Sequence, residues 1–154
     1  MALYPDGMTT ITADVKIEPG AEFSVELRSG SHLWHADEPT DVGGADTGPN
    51  PYELLLSSVA ACTCITVSMY CRRKGWNLHS VSASYIHDRV HANDCDDCES
   101  DASGYIDRVQ SQIFIEGDFD DDQRSRLVDI ARRCPVHKTL ERGLTFTTET
   151  VFAG

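Results

Sequence analysis

The chain has 154 residues, 40% of them hydrophobic, and its 25 acidic side chains outnumber 13 Lys and Arg for a formal net charge of -12. This length and apolar share can bury a core, so a single soluble domain over residues 1–154 is expected. A polyphosphate partner calls for clustered cations and an anionic membrane attracts the same, so the acidic balance excludes nucleic acid and a membrane surface as partners.

The N-terminus, Met1-Ala2-Leu3-Tyr4-Pro5-Asp6, has no basic region followed by an apolar run. It predicts no secretory signal and a cytoplasmic protein, in which most of the six cysteines stay reduced. Thr9 to Ile17 and Glu22 to Arg28 flank Glu18-Pro19-Gly20-Ala21 and read as a hairpin, and His32 to His35 reads as a further short strand. Asp37 to Asn50, with Pro39, Gly43, Gly44, Gly48 and Pro49, reads as a loop.

Leu54 to Cys71 carries no charge, almost the length of a membrane span, but five of its positions are Ser or Thr. These hydroxyls and the absence of a second such segment predict a helix buried on nearly all sides of a soluble protein. Pro49, Pro51 and Glu53 suit its start, and Arg72, Arg73 and Lys74 followed by Gly75 suit its end. So long a chargeless helix is hard to cover within one small domain, which predicts a dimer whose central helices cover one another.

Val81 to Val90 and Tyr105 to Glu116 alternate as two long strands, joined by an acidic, cysteine-bearing connection from His91 to Gly104. Asp118 to Arg133 reads as an amphipathic helix with acids in its first turn and Leu127, Val128, Ile130 and Ala131 inward. Cys134-Pro135 interrupts it, a short helical piece follows, and Leu144 to Phe152 reads as a closing β-branched strand. The expected class is α+β: hairpin, helix, two strands, helix and strand.

Cys62 shares a helical stripe with Leu55, Val59, Thr66 and Met69, the spacing that faces a core. A cysteine there is commonly a small buried hydrophobe. Cys134 changes the weighing, since it lies at a helix break before proline, where free backbone N–H groups and the nearby His137 favour a thiolate. Two such cysteines act as attacking and resolving thiols if the fold unites them. Cys64 and Cys71 share one helix face and read as packing residues.

Pro51-Tyr52-Glu53-Leu54-Leu55 followed by Ala60-Ala61-Cys62, then Cys134-Pro135-Val136 and the order of elements, resemble the OsmC/Ohr family of osmotically inducible and organic hydroperoxide resistance proteins over nearly the whole chain. The resemblance implies antiparallel sheets around long central helices in an intertwined homodimer, each chain contributing sheet to the other. It implies that Cys62 attacks a hydroperoxide and becomes a sulfenic acid, that Cys134 resolves it to a disulfide, and that an external dithiol reduces that disulfide, with no cofactor. The charged positions depart from the family, whose hydroperoxidases activate the thiolate with an arginine in the first hairpin turn and a glutamate directly after the helix-start proline. Here that turn lacks arginine and Tyr52 follows Pro51, so Glu53 comes one position late, turned by about 100°. Glu53 stands as either the activating acid or a favourable first-turn acid, with Arg28 and Arg89 as substitute cations.

A second constellation is His87, His91, Cys95 and Cys98, a CxxC with two upstream histidines that would share a strand face. These ligand types suit tetrahedral zinc, though a redox-labile CxxC pair and a solvated acidic loop are the other readings. The alternative to an enzyme is therefore a non-catalytic dimer that binds a metal or small ligand.

Overall fold

A computed structural model describes residues 10–15, 22–92 and 104–152. The chain gathers into two compact units, Met1–Leu55 and Leu56–Gly154. The hydrogen bonding shows why: among the described residues, β1 to β3 form one sheet and β4 and β5 another, with no strand shared.

In the first unit, β1 (Thr12–Val15), β2 (Val25–Ser29) and β3 (His32–Ala36) pair antiparallel in that order, with Val15 opposite Val25 and Leu27 opposite Trp34. The expected hairpin is present with shorter strands, and its turn lies outside the described residues. Gly30 (φ 56) opens the two-residue turn between β2 and β3, where the backbone favours glycine. The loop that follows is organised by a buried carboxylate. Asp37 accepts hydrogen bonds from the backbone N–H of Glu38 (2.8 Å), Ala45 (3.3 Å) and Thr47 (3.1 Å) and from the Thr47 hydroxyl (2.7 Å). Gly44 lies so close to the backbone of Glu38 that a Cβ there would collide with it.

The long helix, α1, spans Pro51–Lys74. Its start is capped reciprocally: the Asn50 N–H donates to Glu53 (2.8 Å) and the Glu53 N–H donates to Asn50 Oδ1 (3.0 Å). Gly75 (φ 68) ends it after three basic residues.

In the second unit, α1 buries Val59, Thr63, Val67, Tyr70 and Cys71, one stripe at helical spacing. Near-complete burial of this helix is not what the single chain shows. By length and composition α1 could cross a membrane, yet only 28% of its most apolar stretch is buried. Ile65 is 53% exposed, Met69 44% and Leu55 40%. One small unit holds too few elements to cover more than one side.

The elements that do cover it are a hairpin and a helix. β4 (Asn77–His91) and β5 (Tyr105–Asp118) pair antiparallel, Val81 opposite Ile115 and Ala83 opposite Ile113, with a register shift between Leu78 and Ser80. α2 (Asp121–Ala131) opens on a capping box between Asp120 and Gln123. Leu127, Ile130 and Ala131 join Val67, Tyr70 and Cys71 in the core, flanked by Trp76, Val81, Ile113, Ile115 and Phe119. Val128, expected inward, is exposed, because the stripe at i, i+3 and i+4 runs through Leu127 and turns its neighbour about 100° away.

α3 (Pro135–Arg142) is the short helical piece after the break. The expected closing strand is absent: residues 144–152 carry no strand and are exposed throughout, Phe146 at 83% and Phe152 at 90%. A β-branched segment becomes a strand only when a neighbouring edge takes up its backbone hydrogen bonds.

Candidate functional site

Two elements of the second unit meet at Cys62. The first is α1, which carries Cys62 beside the buried Thr63, whose hydroxyl is tied to the Tyr85 hydroxyl of β4 at 2.9 Å. That bond fixes the rotation of the helix against the hairpin at the residue next to the thiol.

The second is the junction of α2 and α3. Pro135 sits at the first position of α3, where its missing N–H costs nothing and its φ is preset, and it pushes Cys134 into an extended conformation as the N-cap. Cys134 is fully buried and its thiol donates to the Val59 carbonyl at 3.8 Å, back onto α1. It makes no side-chain cap to α3. The first N–H that α3 has to offer is therefore that of Val136, and it lies near enough to the sulfur of Cys62 to lower its pKa.

Cys62 and Cys134 are both free thiols, and they lie near enough for Cys134 to bear on the ionisation of Cys62. Burial pushes the Cys62 thiol above its ordinary value. The Val136 N–H works against that shift by favouring the thiolate, while the neighbouring Cys134 thiol adds to it. Thr66, one turn further along α1, lowers it by the smallest amount; its hydroxyl oxygen lies near the sulfur without completing a hydrogen bond. A partly buried sulfur near a helix N-terminus, with a second thiol beside it, has the surroundings that oxidation and resolution of a thiol call for.

The other candidates are engaged elsewhere. Glu53 caps α1 through Asn50. Arg28 pairs with Glu26 at 2.7 Å, and Arg89 stacks over Tyr105. His137 bonds Glu141 at 2.9 Å, and Lys138, followed by His137, keeps that carboxyl below its ordinary value. Leu55 and Met69, expected beside Cys62, lie on exposed faces of the helix. Val136 and Tyr85 were not anticipated. Both were latent in the sequence: proline at a helix start leaves the next residue's N–H as the first free donor, and Tyr85 shares the inward parity of Val81 and Ala83.

The histidine and cysteine constellation is only partly described, since Cys95 and Cys98 lie outside the described residues. His87 and His91 share a strand face as expected, but four strand residues place them about 13 Å apart, too far to ligate one ion. His87 bonds Asp107 at 3.0 Å and His91 meets the Tyr105 ring edge-on. Among the described residues, no group of three or more His, Cys, Asp or Glu could hold a metal.

Residues 43–149 match the family described as OsmC-like protein. No curated protein matches the chain. Among solved structures, an OsmC-like protein from Mycoplasma pneumoniae is similar at 21% identity and a TM-score of 0.66, over 88% of this chain and 89% of that one. An organic hydroperoxide resistance protein from Legionella pneumophila is similar at 22% identity and a TM-score of 0.58, over 90% of each chain. One from Elizabethkingia anophelis, with thiocyanate bound, reaches 17% identity and a TM-score of 0.59, over 89% and 88%. At these identities the likeness shows the fold, an α+β arrangement of antiparallel sheets and helices.

Proposed function

The chain belongs to the OsmC-like family, and from that premise we propose that it reduces organic hydroperoxides through Cys62 and Cys134 and so protects its cell against oxidative stress. The observation that carries this reading is the proximity of two free thiols far apart in sequence, one on α1 and one at the N-cap of α3, with Cys134 raising and the Val136 N–H lowering the Cys62 pKa.

The thiolate of Cys62 attacks one peroxide oxygen. The S–O bond forms as the O–O bond breaks, sulfur gives up two electrons, and the departing alkoxide takes a proton to leave as an alcohol. The sulfur of Cys134 then attacks the sulfenic sulfur, the S–S bond forms, and hydroxide leaves and is protonated to water. An external dithiol restores both thiols by exchange, with its own pair becoming the disulfide. The apolar helix around Cys62 favours an alkyl or aryl hydroperoxide over hydrogen peroxide, since the organic group gains by leaving water.

The working form in this proposal is a homodimer. It is supported by the exposed apolar flank of α1 and by the unpaired, strand-like segment 144–152, both of which a second copy would cover.

Peroxide consumption with a dithiol reductant tests the chemistry. Cys62→Ser is expected to reduce cumene hydroperoxide turnover to background. Cys134→Ser is expected to leave the first oxidation intact and to let dimedone trap a sulfenic acid at Cys62. Unchanged turnover in Cys62→Ser would overturn the proposal.

A further inference from the structure

Thr66 poses a problem that the two cysteines do not solve. A threonine inside a helix normally satisfies its hydroxyl by bonding the carbonyl four residues back, which here is that of Cys62. Thr66 does not: its Oγ1 is buried, and among the described residues it is the buried side-chain oxygen or nitrogen left without a hydrogen-bond partner. A buried hydroxyl without a partner is costly, and one that also declines its usual local acceptor is held for something else.

Its position says what that is. Thr66 lies four residues after Cys62 on α1, so the two side chains share one face a turn apart. Val136 approaches the same sulfur from α3 through its backbone N–H, and Cys134 is the titratable group beside it. Two charged residues weighed as activators of the thiolate have other partners, Glu53 in the helix cap and Arg28 in a pair with Glu26.

We propose that Thr66 is the side-chain hydrogen-bond donor to the reacting sulfur in this chain, its hydroxyl rotating onto the Cys62 thiolate once the proton has left. A protonated thiol is a poor acceptor, which accounts for the incomplete bond in the reduced form, whereas a thiolate accepts strongly. The Val136 N–H and the Thr66 hydroxyl then hold the anion from two helices while the peroxide approaches. Thr66 also lowers the Cys62 pKa, as such a donor must.

This role rests on Cys62 being the reacting thiol, and its test reads that thiol without any peroxide. Fully reduced protein is alkylated with iodoacetamide across pH 6 to 10, on the order of one measurement per half unit, and the rate at Cys62 is resolved by tandem mass spectrometry. Thr66→Val, which keeps the shape and removes the hydroxyl, is expected to move the Cys62 profile to higher pH and slow its alkylation at neutral pH about 3- to 10-fold, with Thr66→Ser returning it toward the parent. Thr66→Ala is a second hydroxyl-free variant should the valine perturb folding. Profiles that superimpose on the parent's would overturn the Thr66 role, as would a serine variant no better than valine, because packing would then be the cause. Should the profile respond to Thr66 while the parent consumes no hydroperoxide, the Thr66 role stands and the proposed activity falls. Should the parent turn over hydroperoxide with a profile indifferent to Thr66, the activity stands and the Thr66 role falls.

Discussion

Asp37 and Cys62 show how one side chain's surroundings set its chemistry. A carboxylate in an interior is tolerated only where donors surround it, and Asp37 has four. The Thr47 hydroxyl leads them in holding its pKa below the ordinary carboxylate value. A depressed carboxylate stabilises the fold above its unfolded pKa, near 4, and that contribution is lost as pH falls through the lower folded value. Thermal melts from pH 7 to about 2 should therefore show acid destabilisation in the parent, and Asp37→Asn should start from a lower Tm and fall less steeply below about pH 4. Parallel curves would contradict this role. Cys62 is shifted the other way, by burial first. Below its folded pKa its reaction with peroxide should slow about tenfold per pH unit, as the thiolate fraction does. The cysteines could be singled out in the sequence because Cys-Pro at a helix break is a local signal. Asp37 could not, since its donors come from loop residues whose turns only the folded backbone brings together.

At the level of elements, the helices were the most legible part and their ends the least. Asp118, Asp120, Asp121 and Asp122 all suit a helix start, so charge places α2 without finding its cap. Gln123 decides it, because its side chain answers Asp120 in the capping box. Asp120→Ala should cost about 1 kcal/mol and lower the Tm by about 2–4 °C in differential scanning calorimetry. Leu127 lies wholly inside, and Leu127→Ala should cost about 2–5 kcal/mol in urea unfolding, depending on how far the site collapses. A cost below about 1 kcal/mol would mean that the core of the second unit lies elsewhere. The strand expected at Leu144–Phe152 failed for a different reason. Its β-branched pattern is a true strand signal, but pattern cannot supply an edge to pair with.

For the whole molecule, the same two features explain what the sequence could not resolve. An apolar helix predicts burial without saying whose atoms do the burying, and the single chain leaves much of α1 uncovered. If a second copy covers it, sedimentation should give twice the 17.0 kDa chain mass, and Ile65→Asp, on the exposed flank, should shift the protein toward monomer or aggregate. A monodisperse parent at the mass of one chain would contradict the proposed dimer. Whether Cys62 and Cys134 form one redox centre is the question on which the function turns, and peptide mapping by mass spectrometry answers it. Fully reduced protein would be treated with one equivalent of cumene hydroperoxide, with hydrogen peroxide in parallel. A shared centre should yield a rapid Cys62–Cys134 disulfide, formed faster with the organic peroxide. Slow, unselective oxidation spread over the other cysteines, with that pair still reduced, would contradict it.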